Sequence, residues 1–211
     1  MAKNTERVFI RNARLSYPAL DRPRESMAGQ GAPKYQATFL LEPDNPSVAK
    51  LKEAIRRVAI AEWGPEKGEA ALRNRDKVPL KKGDERETVP DGYQGMLYIA
   101  ARSAYAPELR DSNPRILIKD EQTIKEKFVP GYKVNGYVDL CPYAVRNDKG
   151  VVIKSGIGCG LISVQFAGYA DAFVARSTTR DEDYPDCSAE VEASQAYDAP
   201  ASGSNYDDIP F

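Results

Sequence analysis

The sequence predicts a mainly β protein: a small barrel of about five strands with an inserted α-helix, followed by a disordered acidic tail. Three observations carry this expectation. Between Thr5 and Phe166 the chain falls into runs of β-branched and aromatic residues that alternate in polarity, as half-buried strands do. One segment, residues 46–63, instead repeats apolar residues at helical spacing. After Arg176 the pattern collapses into Ser, Ala, Pro and acidic residues, with too few apolar groups to pack.

The stretch TERVFIRNARLSY, residues 5–17, reads as a long strand that stops at Pro18. Val8 and Ile10 fall on one face, and Arg7, Phe9 and Arg11 on the other. Alternation alone leaves open which face is the core. PALDRPRESMAGQGAPK, residues 18–34, has too much proline, glycine and charge for a regular element. It reads as a long mobile loop holding Arg22, Arg24 and Lys34, with Arg14 just upstream. YQATFLLE, residues 35–42, is the second strand. Pro46 or Ser47 then opens a helix with Val48, Leu51, Ala54, Ile55, Val58 and Ala59 on one stripe, ended by Gly64 and Pro65. Residues 66–90 are charged and show no clear period.

GMLYIAARSAY, residues 95–105, is a strand with Leu97, Ile99 and Ala101 opposite Met96, Tyr98, Ala100 and Arg102. RILIK, residues 115–119, reads as a short strand, and IKEKF, residues 124–128, as one turn of helix. Two long arms, YKVNGYVDLCPYAV and VVIKSGIGCGLISVQF, flank RNDKG at 146–150, a hairpin turn signal. On the first arm Val134, Val138 and Leu140 face one way, and Lys133, Tyr137 and Tyr143 the other. On the second, Gly156, Gly158 and Gly160 sit at alternate positions. One strand face is therefore bare, permitting a tight bend or close approach by another backbone.

A net charge of −1 conceals a division. Residues 177–211 hold one basic residue, Arg180, and nine acidic ones, a net of −8; the chain totals of 30 basic and 31 acidic residues therefore leave 29 and 22 upstream, a net of +7. Residues 1–176 thus form a basic domain and 177–211 an acidic extension. A basic body implies an anionic partner, and the tail a separate role, which includes competing with that partner for the body.

Several classes recede. No apolar run approaches the roughly 20 residues of a membrane span, and the opening MAKNTERVF lacks a secretory apolar region. A cytoplasmic protein without a membrane partner is expected. Histidine, the commonest proton-transfer group and metal ligand, is absent. Cys141, Cys159 and Cys187 are too few and too scattered for a disulfide framework or a zinc site. There is no Walker-type loop, and GIGCG leads into a strand-like run where a dinucleotide fingerprint needs a helix. The groups Asp84/Glu85 and Asp181/Glu182/Asp183 could hold Mg2+ as in a metal-dependent nuclease, but both lie in charged segments where solvated charge is the better reading. The expectation is a protein without enzymatic activity, cofactor or metal.

Curved strands, glycine kinks, one helix and a basic body together describe an OB-fold, the small barrel most associated with oligonucleotides. Such a barrel stacks bases on exposed rings while cations follow the phosphates. The candidate DNA-binding residues are therefore those that interleave aromatic and basic side chains on one strand face: Arg7, Phe9 and Arg11; Lys34 and Tyr35; Tyr98 and Arg102; Lys133, Tyr137 and Tyr143. Any single tyrosine here could equally be barrel scaffold, and Phe9 could be core.

The chain closes on DDIPF, Asp207, Asp208, Ile209, Pro210 and Phe211, behind an acidic linker. This ending resembles the C-terminal tip of bacterial single-stranded DNA-binding proteins, which docks onto replication and repair enzymes. The physics suits that role: a terminal ring fills an apolar pocket, its carboxylate pairs with a cation, and the aspartates steer. The body differs from the bacterial protein, which is shorter and has another run of strands. RVFIRNARLSYPAL, then KYQATFLLE and a helix, resembles a family of bacteriophage single-stranded DNA-binding proteins with an OB-fold, formerly a domain of unknown function, over residues 5–175. The usual OB order places its helix after the third strand, whereas here it follows two; either a strand hides in the 18–34 loop or the barrel is elaborated.

The resemblance implies a non-catalytic protein that binds single-stranded DNA with little sequence preference in phage replication, recombination or repair, in the host cytoplasm. Its tip would recruit partner enzymes, and homo-oligomerisation stays open. The alternatives are a metal-dependent nuclease or other nucleic-acid enzyme, and an RNA-binding phage protein.

Overall fold

The computed structural model describes residues 4–25, 32–90 and 92–173. The chain divides into two units, Met1–Ala175 and Arg176–Phe211. The second unit, with Cys187, the acidic group at 181–183 and the tip Asp207, Asp208, Ile209, Pro210 and Phe211, lies outside the described residues.

β1 (Glu6–Arg24) begins where the alternation begins but runs through Pro18 instead of stopping there. Its second half pairs Ala19 with Gln36 and Arg24 with Lys34 of β2 (Lys34–Leu41). A register shift between Ser16 and Ala19, with Tyr17 at φ 44°, makes the irregularity at which a strand tolerates proline. Burial of Ala19 and Leu20 holds this half on the body, so much of the expected loop is strand.

α1 (Pro46–Trp63) opens at Pro46, whose missing N–H is one the first helical turn leaves unpaired anyway. The Asn45 side chain accepts from the Ser47 N–H at 2.8 Å and donates to the carbonyls of Arg11 and Asn12. Ser47 Oγ accepts the Arg11 N–H at 2.9 Å, which ties the helix start to a second irregularity in β1, where Asn12 has φ 54°. The predicted apolar stripe is buried in the core. Gly64 ends α1, and Pro65 immediately starts α2 (Pro65–Leu72). The segment without a clear period thus holds α2, β3 (Leu80–Lys82) and a turn of 3-10 helix at Gly83–Glu85. Each is too short to display a period.

β4 (Leu97–Ser103) follows. RILIK is not a strand: Leu117 forms one bridge to Arg110, and the local strand is β5 (Glu108–Arg110). α3 (Glu121–Lys127) takes the place of the expected single turn, capped by Asp120, which accepts the Thr123 N–H at 2.7 Å. β6 (Lys133–Arg146) and β7 (Val152–Gly168) form the long hairpin.

Five strands close a ring in the order β1, β2, β4, β7, β6, the parallel closure placing Arg102 opposite Gly160. This is an OB-fold barrel, with β3 added beside β4 and β5 beside β7. α3 joins the third and fourth barrel strands, where the usual order puts the helix; α1 and α2 are an insertion after the second. The barrel is therefore elaborated, and the strand residues found within 18–34 belong to β1 and β2. Ile10, Leu15, Phe39, Ile99, Val134, Val138 and Val164 fill it without solvent exposure. Gly136 makes room for Phe39: a Cβ there would lie 2.6 Å from that ring. No helix among the described residues is long and apolar enough to cross a membrane.

Candidate nucleic-acid interface

Burial settles the β1 faces. Val8 and Ile10 are core, and Phe9 is 37% exposed beside Tyr137, its partner on β6, which is 44% exposed. The two rings lie 4.8 Å apart at 39°. Arg7 donates two hydrogen bonds to Asp139, at 2.8 and 2.9 Å, a fork-on-carboxylate pair that cancels most of its local charge. This hydrogen-bonded carboxylate raises the Arg7 pKa further. Arg11 and Lys133 are exposed and make no ion pair among the described residues. Arg14 is committed elsewhere: it donates to the carbonyls of Gly131 and Asp171 and lies 4.8 Å over the Phe173 ring.

On the other side of the barrel, Lys34 and Arg102 are exposed, and Arg102 pairs with Gln36. Tyr35 belongs to the inward row of Ala37, Phe39 and Leu41, opposite Ser103, and is half-buried. Tyr98 joins a cluster that sequence reasoning missed. The Arg86 guanidinium lies 5.1 Å from the Tyr93 ring, 5.3 Å from Tyr98 and 6.0 Å from Tyr17. Tyr93 is buried, with its hydroxyl donating to Ser16 Oγ at 3.1 Å, while Tyr17 is 47% exposed. Burial pushes the Tyr93 phenol up, against the opposing pull of Ser16 and Arg86. Arg86 makes no ion pair or side-chain hydrogen bond among the described residues, so its donors are available to an anion.

The loop carrying Arg86 and Tyr93 is pinned by backbone. Gly83 N–H donates to the Met96 carbonyl at 2.7 Å, and Asp84 accepts the Gly95 N–H with both oxygens. Glu85 pairs with Arg75 at 3.3 Å. The Asp84/Glu85 group weighed as a metal ligand thus holds a loop, and no group of three metal-ligating side chains occurs among the described residues. Half-buried against the core, the Cys159 thiol has its pKa pushed up by desolvation, away from nucleophilic chemistry.

Between the two aromatic patches runs the bare face of β7. Gly156, Gly158 and Gly160 pair with Tyr143, Cys141 and Asp139, and Gly160 also pairs with Arg102. Arg7, Asp139, Gly160 and Arg102 therefore share one row across four strands. Tyr143 lies over Gly156, where a Cβ would be 3.1 Å from its ring. At Gly158 and Gly160 an added Cβ would meet only ordinary contacts with β6, at 3.6 and 3.5 Å, and both glycines are partly exposed. A barrel exterior with stacked rings, unpaired cations and a strip of bare backbone can take up a flexible polyanion with flat bases.

The family model of the Enterobacter phage Enc34 ssDNA-binding protein matches residues 6–194. The chain belongs to this family. The Enc34 single-stranded DNA-binding protein in complex with ssDNA is 24% identical and superposes with a TM-score of 0.64, over 82% of this chain and 96% of that one. A second structure of it is 23% identical, with a TM-score of 0.60 over 94% and 96%. The gp2.5 single-stranded DNA-binding protein of bacteriophage T7 is 13% identical, with a TM-score of 0.51 over 98% and 100%. These likenesses are of fold. A search of curated protein sequences finds no match.

Of the residues singled out in the sequence, Arg7, Phe9 and Tyr137 come together, and Arg102 and Tyr143 join them along the glycine strip. Lys34 and Tyr35 stand apart at the start of β2, and Tyr35 shares the inward row. Tyr17, Arg86 and Tyr93 escaped notice because Tyr17 looked like a strand end and the other two lie in unpatterned sequence. Tyr93 between Gly92 and Gly95 was the one available signal, an aromatic ring in an otherwise charged segment.

Proposed function

We propose that this protein binds single-stranded DNA with little sequence preference, across the face from Phe9 and Tyr137 over the β7 glycines to Arg102 and the Arg86 cluster. The observation that carries this is the glycine strip flanked by paired, exposed rings and unpaired cations, in a chain whose family is named for ssDNA binding. It acts without catalysis in phage replication, recombination or repair, in the host cytoplasm, and recruits partner enzymes through Asp207, Asp208, Ile209, Pro210 and Phe211.

Titration with fluorescent oligonucleotides of several lengths, competed by RNA and by duplex, tests the binding. Single-stranded DNA is expected to compete best; preference for RNA would overturn the DNA assignment. Cleavage of the DNA in the presence of Mg2+ or Mn2+ would restore the nuclease reading. Log affinity is expected to fall with log salt at ~0.7 for each phosphate neutralised, and a flat response would refute the phosphate contacts.

The tail separates by truncation. Loss of Phe211 is expected to abolish partner docking and spare DNA binding, measured by pull-down and by oligonucleotide titration. Removal of residues 177–211 is expected to raise single-strand affinity at low salt, because a −8 segment no longer competes for a +7 body.

A further inference from the structure

Beyond the barrel face lies a cavity of about 350 Å³ lined by Trp63, Lys67, Ala70, Ala71, Asn74, Lys77 and Ser155. Trp63 is the last residue of α1, Lys67, Ala70 and Ala71 lie on α2, and Ser155 lies on β7. That volume is at the lower end of the range for small-ligand sites, roughly 300–1,000 Å³. Trp63, the one tryptophan of the chain, is among its lining residues. The Lys77 ammonium sits 5.6 Å from the Trp63 ring centroid, a cation over an aromatic face.

Neither Lys67 nor Lys77 makes an ion pair among the described residues, and no carboxylate lines the cavity. Of the acidic residues adjoining in sequence, Glu69 is paired with Arg56 at 2.6 Å, while Glu66 and Asp76 make no ion pair among the described residues. The Asn74 amide nitrogen and the Ser155 hydroxyl have no hydrogen-bond partner among the described residues, while Asn74 Oδ1 accepts the Asp76 N–H. A flat apolar ring, two cations and two neutral polar groups converge on one space. The cations suit a phosphate, the ring a base, and the amide and hydroxyl the edge of that base.

Its position connects it to the strip. The Ile157 N–H donates to the Lys77 carbonyl at 2.8 Å, which clamps the Lys77 turn onto β7. That carbonyl is 3.2 Å from where a Cβ of Gly156 would stand, beside the Tyr143 ring. The chain then runs from Lys77 to Lys81, which pairs with Tyr98. Backbone links thus tie the Lys77 turn to the β7 strand beside Tyr143 and, through β3, to the strand of Tyr98.

We propose that this cavity takes one nucleotide of the bound strand, its base on Trp63 and its phosphate on Lys77 and Lys67, extending the path beyond the barrel. The proposal rests on the single-strand reading of the barrel face. Because Trp63 is the sole tryptophan, selective indole excitation reports this cavity alone. Oligothymidylates of increasing length are titrated twice, once by indole fluorescence and once by anisotropy of a labelled strand.

Long strands are expected to quench Trp63 in step with binding. Lys77→Gln is expected to lower their affinity several-fold and to reduce the salt slope by ~0.7. Trp63→Phe is expected to retain most of the affinity, and Trp63→Ala to lose about tenfold. A strand that binds by anisotropy while Trp63 fluorescence and the Lys77→Gln affinity stay unchanged would overturn the cavity and leave the barrel face standing. Absence of any binding would remove both. Quenching by thymidine monophosphate that a long strand does not compete would make this a free-nucleotide site and overturn the strand path.

Discussion

Replacing Phe9 and Tyr137 together by alanine is expected to weaken single-strand binding by at least about thirtyfold, at little cost in stability. Stacking on an aromatic ring is worth ~1–3 kcal/mol per base, so two lost platforms remove ~2–6 kcal/mol. The rings stand outside the core, 37% and 44% exposed, and lie against each other. Their mutual contact, a cross-strand pair, contributes ~0.2–1 kcal/mol to the fold. Oligonucleotide anisotropy and urea denaturation measure the two quantities separately. A double variant that keeps its affinity would remove this pair from the binding face. One that unfolds at much lower urea would return both rings to a scaffold role. The comparison with Arg7→Ala is instructive: Arg7 is already paired with Asp139, so its loss is expected to cost less affinity than loss of the unpaired Arg102.

The second large effect is on the loop that carries Arg86. Gly83→Ala is expected to destabilise the protein by about 3 kcal/mol, the upper end for overpacking at a buried position. A Cβ at Gly83 would lie 2.0 Å from the Tyr93 carbonyl oxygen and 2.9 Å from its carbonyl carbon. Those atoms are backbone and cannot rotate away, so the loop must lift. Tyr93, without solvent exposure, would then meet water, and Arg86 would lose its place over Tyr98 and Tyr17. Stability and DNA affinity are expected to fall together, by urea denaturation and oligonucleotide titration. Gly95→Ala is the control: it has φ 66° but nothing within 4 Å of its Cβ position. Its expected cost is the left-handed backbone alone, ~1–2 kcal/mol. A loss at Gly83 no larger than that at Gly95 would show that the Tyr93 contact is relieved at little cost.

Much of the barrel was legible because long strands repeat their polarity many times. β6 places Val134, Val138 and Leu140 inward and Lys133 and Tyr137 outward over 14 residues, and each added residue makes the alternation harder to misread. α1 was legible to within a residue of its start, since a proline and six stripe positions agree. What misled was local chemistry overruled by pairing. Pro18 reads as a stop, yet β2 lies alongside and Leu20 has a core to enter, so the chain bulges and continues. β3 and β5, at three residues each, exist only because β4 and β7 offer them an edge.

The candidate site divides the same way. Sequence alone determined the family resemblance, the charge division between body and tail, the alternation of Arg7, Phe9 and Arg11, and the bare positions of β7. These are properties of neighbours along the chain, set by side-chain period and composition. Only the tertiary structure decided that Phe9 meets Tyr137, that Asp139 occupies Arg7, that Tyr35 stands in the inward row, and that Arg86 gathers Tyr17, Tyr93 and Tyr98. Each of these depends on residues brought together across the closed ring. Register and closure are set by the summed packing of the whole core, and no window of the sequence contains that sum.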